Sequence, residues 1–263
     1  MSDGSTDMKK TEETPVEEVV ELNLSRQSKL VPIDTINNYT LKVFGVGSVG
    51  SHFAKVAAKT GFRNIEVYDM DTVKEENIAA QAFDFEHIGQ NKVDAMVDVI
   101  KRATGTEIIA HHGKVSEENP IIPEANNIYC CFFDSFEGRQ MVFDMLKGFP
   151  VIFVDGRIGQ YNMRHYLVEL DDAVQVEAYN SSLNTGAVSE LQCGEKACAP
   201  INVQIAGKLV MNILNYVSGK DYNKVYIGNA AAPATDMNIL KIREKEAEKK
   251  EEVSQSGGSS QEV

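Results

Sequence analysis

The sequence predicts an α/β fold: a Rossmann-like, open, mainly parallel sheet with helices on both faces and an antiparallel extension. Three observations carry that expectation. Short apolar runs alternate with segments of helical period. The first run feeds a glycine-rich turn, VFGVGSVGSH (43–52), with the spacing Gly45-x-Gly47-x-x-Gly50. Three apolar runs then end on an aspartate, Asp69, Asp134 and Asp155, and ligands on parallel sheets bind beyond the carboxyl ends of the strands.

Taken in order, LKVFGV (41–46) reads as a buried parallel strand. Val49, Phe53, Val56 and Ala57 recur at helical spacing, and Gly61 stops that helix. IEVYD (65–69) is the second strand, which completes a β–α–β unit with the glycines in its first turn. Val93, Met96, Val97 and Ile100 mark a helix over 89–103. EIIAH (107–111) and IYCCFF (128–133) read as strands, 138–147 as a helix and VIFVD (151–155) as a strand. MRHYLVEL (163–170) and VQVEAY (174–179) read as two further strands, an antiparallel pair. A helix over 200–218 opens with Pro200, a favoured first-turn residue, and KVYIG (224–228) adds a last strand.

Composition narrows the function. The net charge of −13 argues against a nucleic-acid footprint and against electrostatic attachment to an anionic membrane. No run of 18 apolar residues occurs, so the expectation is a cytoplasmic protein. Residues 1–20 and 241–263 are polar, charged and nearly free of aromatics, and read as disordered tails around a single domain at 21–240. Four cysteines, two of them adjacent, suggest no disulfide framework.

The glycines point to a bound phosphate. Gly45 permits a tight turn, Gly47 lets a phosphate approach the backbone, and Gly50 allows close helix–strand packing. Amides at the start of the next helix then face the anion, reinforced by the helix dipole. Asp69, 19 residues beyond Gly50, suits ribose hydroxyls. So far NAD and ATP fit equally well, and each aspartate alone is as readily a helix cap.

The stretch 68–96 separates the two. Asp69-Met-Asp71-Thr-Val73 is followed by Asn77-Ile-Ala-Ala-Gln81 and then Gly89-Gln-Asn-Lys92. This order resembles the ThiF/HesA/MoeB family, the fold of the ubiquitin-activating enzymes. LSRQ (24–27), with Arg26, resembles that family's Tyr-Ser-Arg-Gln element, and Asp134 with Arg139 matches its Asp-x-x-x-x-Arg. The resemblance implies ATP-dependent adenylation of the C-terminal carboxylate of a ubiquitin-like or sulfur-carrier protein ending in a free glycine. It implies that Lys92 holds phosphates, Asn77 orients them, Asp134 holds Mg²⁺, and Arg26 acts on a neighbouring subunit of a homodimer. The nucleotide would be held by Gly45, Gly47, Gly50, Asp69, Asp71, Asn77, Gln81 and Lys92.

Two departures stand out. Ala80 occupies the position of the family's arginine in Asn-x-x-Arg-Gln, so Arg139, Arg157 or Arg26 must compensate or the nucleotide chemistry is weakened. The paired Cys-x-x-Cys elements of many members are missing, so no structural zinc is expected. Cys198, two residues before Pro200, is the candidate acyl acceptor because a helix start favours thiolate. Cys193 is the runner-up, Lys196 would assist, and His165 is a conceivable base. The alternatives are an NAD-dependent oxidoreductase, which leaves Asn77, Lys92 and Asp134 unexplained, and a degenerate nucleotide-binding scaffold, which Ala80 favours.

Overall fold

A computed structural model describes residues 22–184 and 198–230 of the 263-residue chain. Seven strands form a single sheet in the order β3-β2-β1-β4-β5-β6-β7. β1 (Thr40–Phe44), β2 (Ile65–Asp69), β3 (Ile109–His112), β4 (Asn127–Cys131) and β5 (Ile152–Gly159) pair in parallel. β6 (Asn162–Glu169) and β7 (Val225–Asn229) add the antiparallel extension. The expected mainly parallel sheet with an antiparallel extension is what the chain forms.

Six α-helices, α1 (Ile33–Ile36), α2 (Ser48–Thr60), α3 (Lys92–Thr104), α4 (Phe136–Leu146), α5 (Ala173–Asn184) and α6 (Ala199–Val217), and two 3-10 turns, Glu75–Asn77 and Phe85–His87, complete the described elements. Alternation along the strands gives the sheet two apolar faces. Leu41, Val43, Ile65, Val67, Ile128 and Cys130 point to the face covered by α2, α3 and α6, through Phe53, Met96 and Leu209 among others. Phe44, Tyr129, Cys131 and Phe153 point to the opposite face, under Val142 and Phe143 of α4 and Tyr179 of α5.

One expected strand is a helix. Residues 174–179 lie within α5. The Asp172 carboxylate accepts the backbone N–H groups of Val174 (2.9 Å) and Gln175 (3.2 Å), which starts the helix. The apparent alternation is also satisfied at helical spacing: Gln175 and Tyr179, four apart, are buried. β6 already has β5 and β7 on its two sides, so no edge of it is open to a further strand.

Chain order leaves β1 as an interior strand, continuing to β2 on one side and neighbouring β4 on the other. This is the switch point at which ligands bind in open α/β sheets. The β1–α2 turn and the β4–α4 turn flank it.

Candidate functional site

The β1–α2 turn uses its glycines as the spacing predicts. Gly45 has φ +86°, and a Cβ there would lie 3.1 Å from Phe133 Cδ1 and 3.2 Å from the Phe132 carbonyl oxygen. A Cβ on Gly50 would stand 1.9 Å from the Gly45 oxygen, so only glycine lets α2 sit this close to the turn. Gly47 is the N-cap of α2 and makes no side-chain cap. A Cβ there meets nothing within 4 Å. The first amides of α2 have no intrahelical partner, and the positive end of a 13-residue helix stands behind them.

Three of the sequence-predicted residues form, with the Val46 amide, one hydrogen-bonded chain leading away from that turn. Asp69, at the end of β2, accepts the Val46 N–H at 2.9 Å and the Asp71 N–H at 2.9 Å. Asp71 accepts from Lys92 Nζ at 2.8 Å, and its carbonyl takes the Lys92 N–H at 2.9 Å. Lys92 is the first residue of α3 and is buried, whereas the Asp71 side chain is more than half exposed. Asp69 keeps lone pairs for a hydroxyl donor, and Lys92 keeps two ammonium protons beyond the one shared with Asp71.

Asn77 and Gln81 lie on the next loop. Asn77 Oδ1 accepts the Lys74 N–H at 2.9 Å, which leaves its Nδ2 as a donor. Two residues that sequence reasoning missed pin this loop to α2, and a third pins it to α6. Ser51 Oγ accepts the Ala82 N–H (3.0 Å), and His52 Nε2 (3.2 Å) and Asn202 Nδ2 (2.7 Å) both meet the Ala80 carbonyl. Burial lowers the His52 pKa, opposed by its bond to that carbonyl. A signal existed for Asn202, an amide on an otherwise apolar stripe of α6. Position 80 thus contributes its backbone and no side-chain charge. Beside it, Gln81 Oε1 and Asn202 Oδ1 are buried without a hydrogen-bond donor among the described residues.

Across the switch point, Asp134 follows β4 and is exposed. Its neighbour Phe133 packs against Gly45, which brings Asp134 to the same sheet edge as the glycine turn. Asp134 makes no hydrogen bond or ion pair among the described residues, although the buried Arg139 guanidinium lies near enough to feel its charge. Ser135 caps α4 by accepting the Gly138 N–H at 3.1 Å.

Asp155 is not at the open edge. It is 0% exposed, beneath α4 and α5, because β5 runs on to Gly159 to pair with β6. Its carboxylate takes Arg139 on Oδ1 and Arg157 Nε (2.6 Å) and the Tyr179 hydroxyl (3.0 Å) on Oδ2. Arg157 also reaches the Ser182 carbonyl and hydroxyl at 3.2 Å and stacks over Tyr166, 4.7 Å from the ring centre. Both arginines are therefore committed, and neither replaces the missing arginine of position 80. Burial lowers the Arg139 pKa and raises that of the neighbouring Cys131 thiol.

The remaining candidate residues lie apart from that hydrogen-bonded chain. Arg26 is exposed, and its neighbour Gln27 donates to the Lys59 carbonyl (2.9 Å) at the far end of α2. Thirteen residues of helix put it about 20 Å from its own glycine turn, so it cannot serve that turn within one chain. Cys198 is exposed as the N-cap of α6, one helical turn from Asn202 and hence close to the 77–82 loop. Cys193 and Lys196 lie outside the described residues, as do the expected tails. His165 is no base for Cys198: it is sealed between β6 and α6, stacked on Tyr226, and burial aided by Lys208 brings its pKa to about 4. Lys208 stands ten positions along α6 from Cys198.

Asp84, Glu86 and His87 bring potential metal-ligand atoms within 4.8 Å of one another. Their chemistry is already used internally. His87 Nδ1 accepts the Asp84 N–H (2.9 Å), its Nε2 faces Asp98 (3.0 Å), and Arg102 bridges Asp84, Glu86 and Asp98. No helix among the described residues is long and apolar enough to cross a membrane.

Fold and site together define an α/β protein with a glycine-rich strand–helix turn at its switch point and carboxylates on either side. The chain belongs to the ThiF family, whose profile matches residues 22–253. It is 33% identical over 119 residues to the NEDD8-activating enzyme E1 catalytic subunit of Arabidopsis thaliana, covering 44% of this chain and 26% of that protein. It is 37% identical over 84 residues to SUMO-activating enzyme subunit 2 of Dictyostelium discoideum, covering 31% and 13%. The chain thus spans about a quarter or less of these relatives. A structure of E. coli MccB with ATP superimposes with TM-score 0.59 at 14% identity, over 76% of this chain and 63% of that one, a likeness of fold.

Proposed function

We propose that this chain is an ATP-dependent adenylyltransferase that activates the C-terminal carboxylate of a ubiquitin-like or sulfur-carrier protein with a free terminal glycine. The observation that carries the reading is the hydrogen-bonded chain Val46–Asp69–Asp71–Lys92, which ties the glycine turn to a buried lysine. A dinucleotide site needs the first half of it but not the lysine. The names of the relatives, NEDD8- and SUMO-activating enzymes, point to the same class of carboxylate.

In the reaction proposed, a carboxylate oxygen attacks the α-phosphorus of ATP. The bond to the β-phosphate oxygen breaks and pyrophosphate leaves. Bringing two anions together requires positioning and positive charge. The α2 amides and Lys92 supply the charge, Asp69 takes the ribose hydroxyls, and Asn77 Nδ2 orients a phosphate oxygen. Asp134 fits Mg²⁺, being an exposed carboxylate without an internal ion pair at the same edge; bound there, the ion would neutralise charge developing on the phosphates. Arg26 acts from a second copy. Cys198 then accepts the acyl group: its thiolate attacks the carboxyl carbon and AMP leaves.

A second reading rests on Ala80. Without the family's arginine the chain could bind nucleotide as a scaffold and not turn it over. Thermal-shift titrations with MgATP, ATP plus EDTA, and NAD(H) test nucleotide identity. The expected result is magnesium-dependent stabilisation by ATP that Asp134→Asn abolishes. Stabilisation by NAD(H) alone sinks the proposal. Binding without ATP–pyrophosphate exchange, in the presence of glycine-ended carrier proteins, favours the scaffold.

A further inference from the structure

We infer that Asn202 is a positioning residue: from α6 it holds the Ala80 carbonyl, and through that carbonyl it sets the place of Asn77. This role rests on the proposed function, in which Asn77 orients a phosphate oxygen, and deepens it.

The buried stripe of α6 is apolar at Ile201, Ile205, Leu209 and Ile213. Two asparagines interrupt it, Asn202 at 0% and Asn212 at 4% exposure. A buried amide costs stability unless its donor and its acceptor are both paired. Asn212 meets that condition. Its Nδ2 donates to the Asn223 carbonyl at 2.8 Å and its Oδ1 accepts the Asn223 N–H at 2.7 Å, which fastens the segment entering β7. Asn202 does not meet it. Its Nδ2 donates to the Ala80 carbonyl at 2.7 Å, a bond that decides which end of the amide carries nitrogen. Its Oδ1 is left buried without a donor among the described residues. For packing alone a leucine would continue the stripe at no such cost, so the reason for an asparagine lies outside stability.

That reason is what the bond reaches. The Ala80 and Gln81 N–H groups both donate to the Asn77 carbonyl, at 3.1 Å and 2.8 Å, so residues 77–81 form one closed turn. Asn77 stands at one end of the turn and the Ala80 carbonyl at the other. From α2 the turn is held by His52 Nε2 on that carbonyl (3.2 Å) and by Ser51 Oγ on the Ala82 N–H (3.0 Å). From α6 it is held by Asn202. With both helices the turn is fixed in position and tilt; with α2 alone it hangs from one side. Misplacement of an orienting group by about 1 Å is enough to cost a large factor in its effect. Ala80 sharpens the need for the second anchor. An arginine at this position would be drawn towards a bound phosphate and take the turn with it, whereas a methyl group offers a ligand no such hold.

The test is calorimetric titration of MgATP into wild type, Asn202→Leu, Asn77→Ala and the double variant, beside a thermal melt of each without ligand. Asn212→Leu is the control. The expected result is a split between stability and binding. Asn202→Leu melts at or above wild type, because an unpaired buried oxygen is gone, yet binds MgATP ~5-fold or more weakly. In the Asn77→Ala background the same substitution changes the affinity by less than ~2-fold. Asn212→Leu melts below wild type and binds MgATP as wild type does. A lower melting temperature with unchanged affinity in Asn202→Leu makes Asn202 merely structural and overturns the positioning role. So does a loss of affinity of the same size with and without Asn77. Should Asn202→Leu fail to fold, Asn202→Ala carries the same cycle and its affinities decide. A wild type that does not bind MgATP overturns the proposed function and this role together; a wild type that binds it no better than Asn202→Leu overturns this role alone.

Discussion

Asp155→Ala is the sharpest perturbation of the scaffold behind the site. The substitution deletes one acceptor that two guanidiniums and the Tyr179 hydroxyl share, in a place fully withdrawn from water. Charge-assisted hydrogen bonds contribute about 1.5–3 kcal/mol each and a neutral one about 1 kcal/mol. Breaking a buried ion pair from one side costs about 3–5 kcal/mol because the remaining charge is stranded. Here two like charges are stranded together, so about 4 kcal/mol or more should be lost, a large part of a typical total of about 5–15 kcal/mol. For a chain of this size that lowers the melting temperature by roughly 8–16 °C. Urea and thermal unfolding read the loss directly. Replacing the whole cluster, Asp155→Leu with Arg139→Met and Arg157→Met, should recover most of it, since an apolar cluster avoids the desolvation cost. A loss below about 1 kcal/mol for Asp155→Ala, or a triple variant as unstable as the single one, would refute the reasoning.

The glycine turn makes a paired prediction. Gly50→Ala forces a Cβ to 1.9 Å from the Gly45 oxygen and should cost about 1–3 kcal/mol and the ATP-induced thermal shift. Gly47→Ala, open on that side, should melt near wild type yet still respond weakly to ATP; equal behaviour of the two in a thermal-shift assay contradicts the assigned roles. Ser51→Ala strands the buried Ala82 N–H and should cost about 1–2 kcal/mol in urea unfolding, with little effect if water takes the place of the hydroxyl. His165 makes stability pH-dependent. Its folded pKa of about 4 lies below the ordinary 6.5, so the unfolded chain binds the proton first. The stabilisation is complete above pH 6.5 and drains away as pH falls towards 4, by about 3 kcal/mol in all. His165→Phe should flatten that part of the stability–pH profile, and an unchanged slope removes His165 as the cause.

The sequence is readable where local pattern and tertiary role coincide. The three glycines announce their roles by spacing, and Asp69, Asp71 and Lys92 fall into one network because the connection over 70–91 folds back, joining the Lys92 N–H to the Asp71 carbonyl. It is unreadable where a role depends on what covers a residue. Nothing local tells Asp134 from Asp155, each closing an apolar run. The difference is that β5 extends into a hairpin while β4 gives way to a turn. Arg139 is consumed by a residue sixteen positions on, and Ala80 is held by α6 from 122 positions away. VQVEAY fits either period, and only the Asp172 cap and the prior pairing of β6 decide for helix.

Ala80 gathers these threads into a final prediction. The loop around it is held by backbone bonds to α2 and α6, so its shape does not depend on an arginine at position 80. Among the described residues it lacks donors for Gln81 Oε1 and Asn202 Oδ1, and position 80 brings no side-chain charge of its own. If Arg26 of a second copy supplies both, Arg26→Ala should lower ATP–pyrophosphate exchange on the order of 10²-fold or more, as loss of a trans-acting arginine does. Ala80→Arg in that background places a guanidinium on the same loop from within the chain and should restore part of the rate. No rescue by Ala80→Arg would mean that the charge of Arg26 is not what the site takes from it. Absence of any effect of Arg26→Ala would remove the second copy from the chemistry.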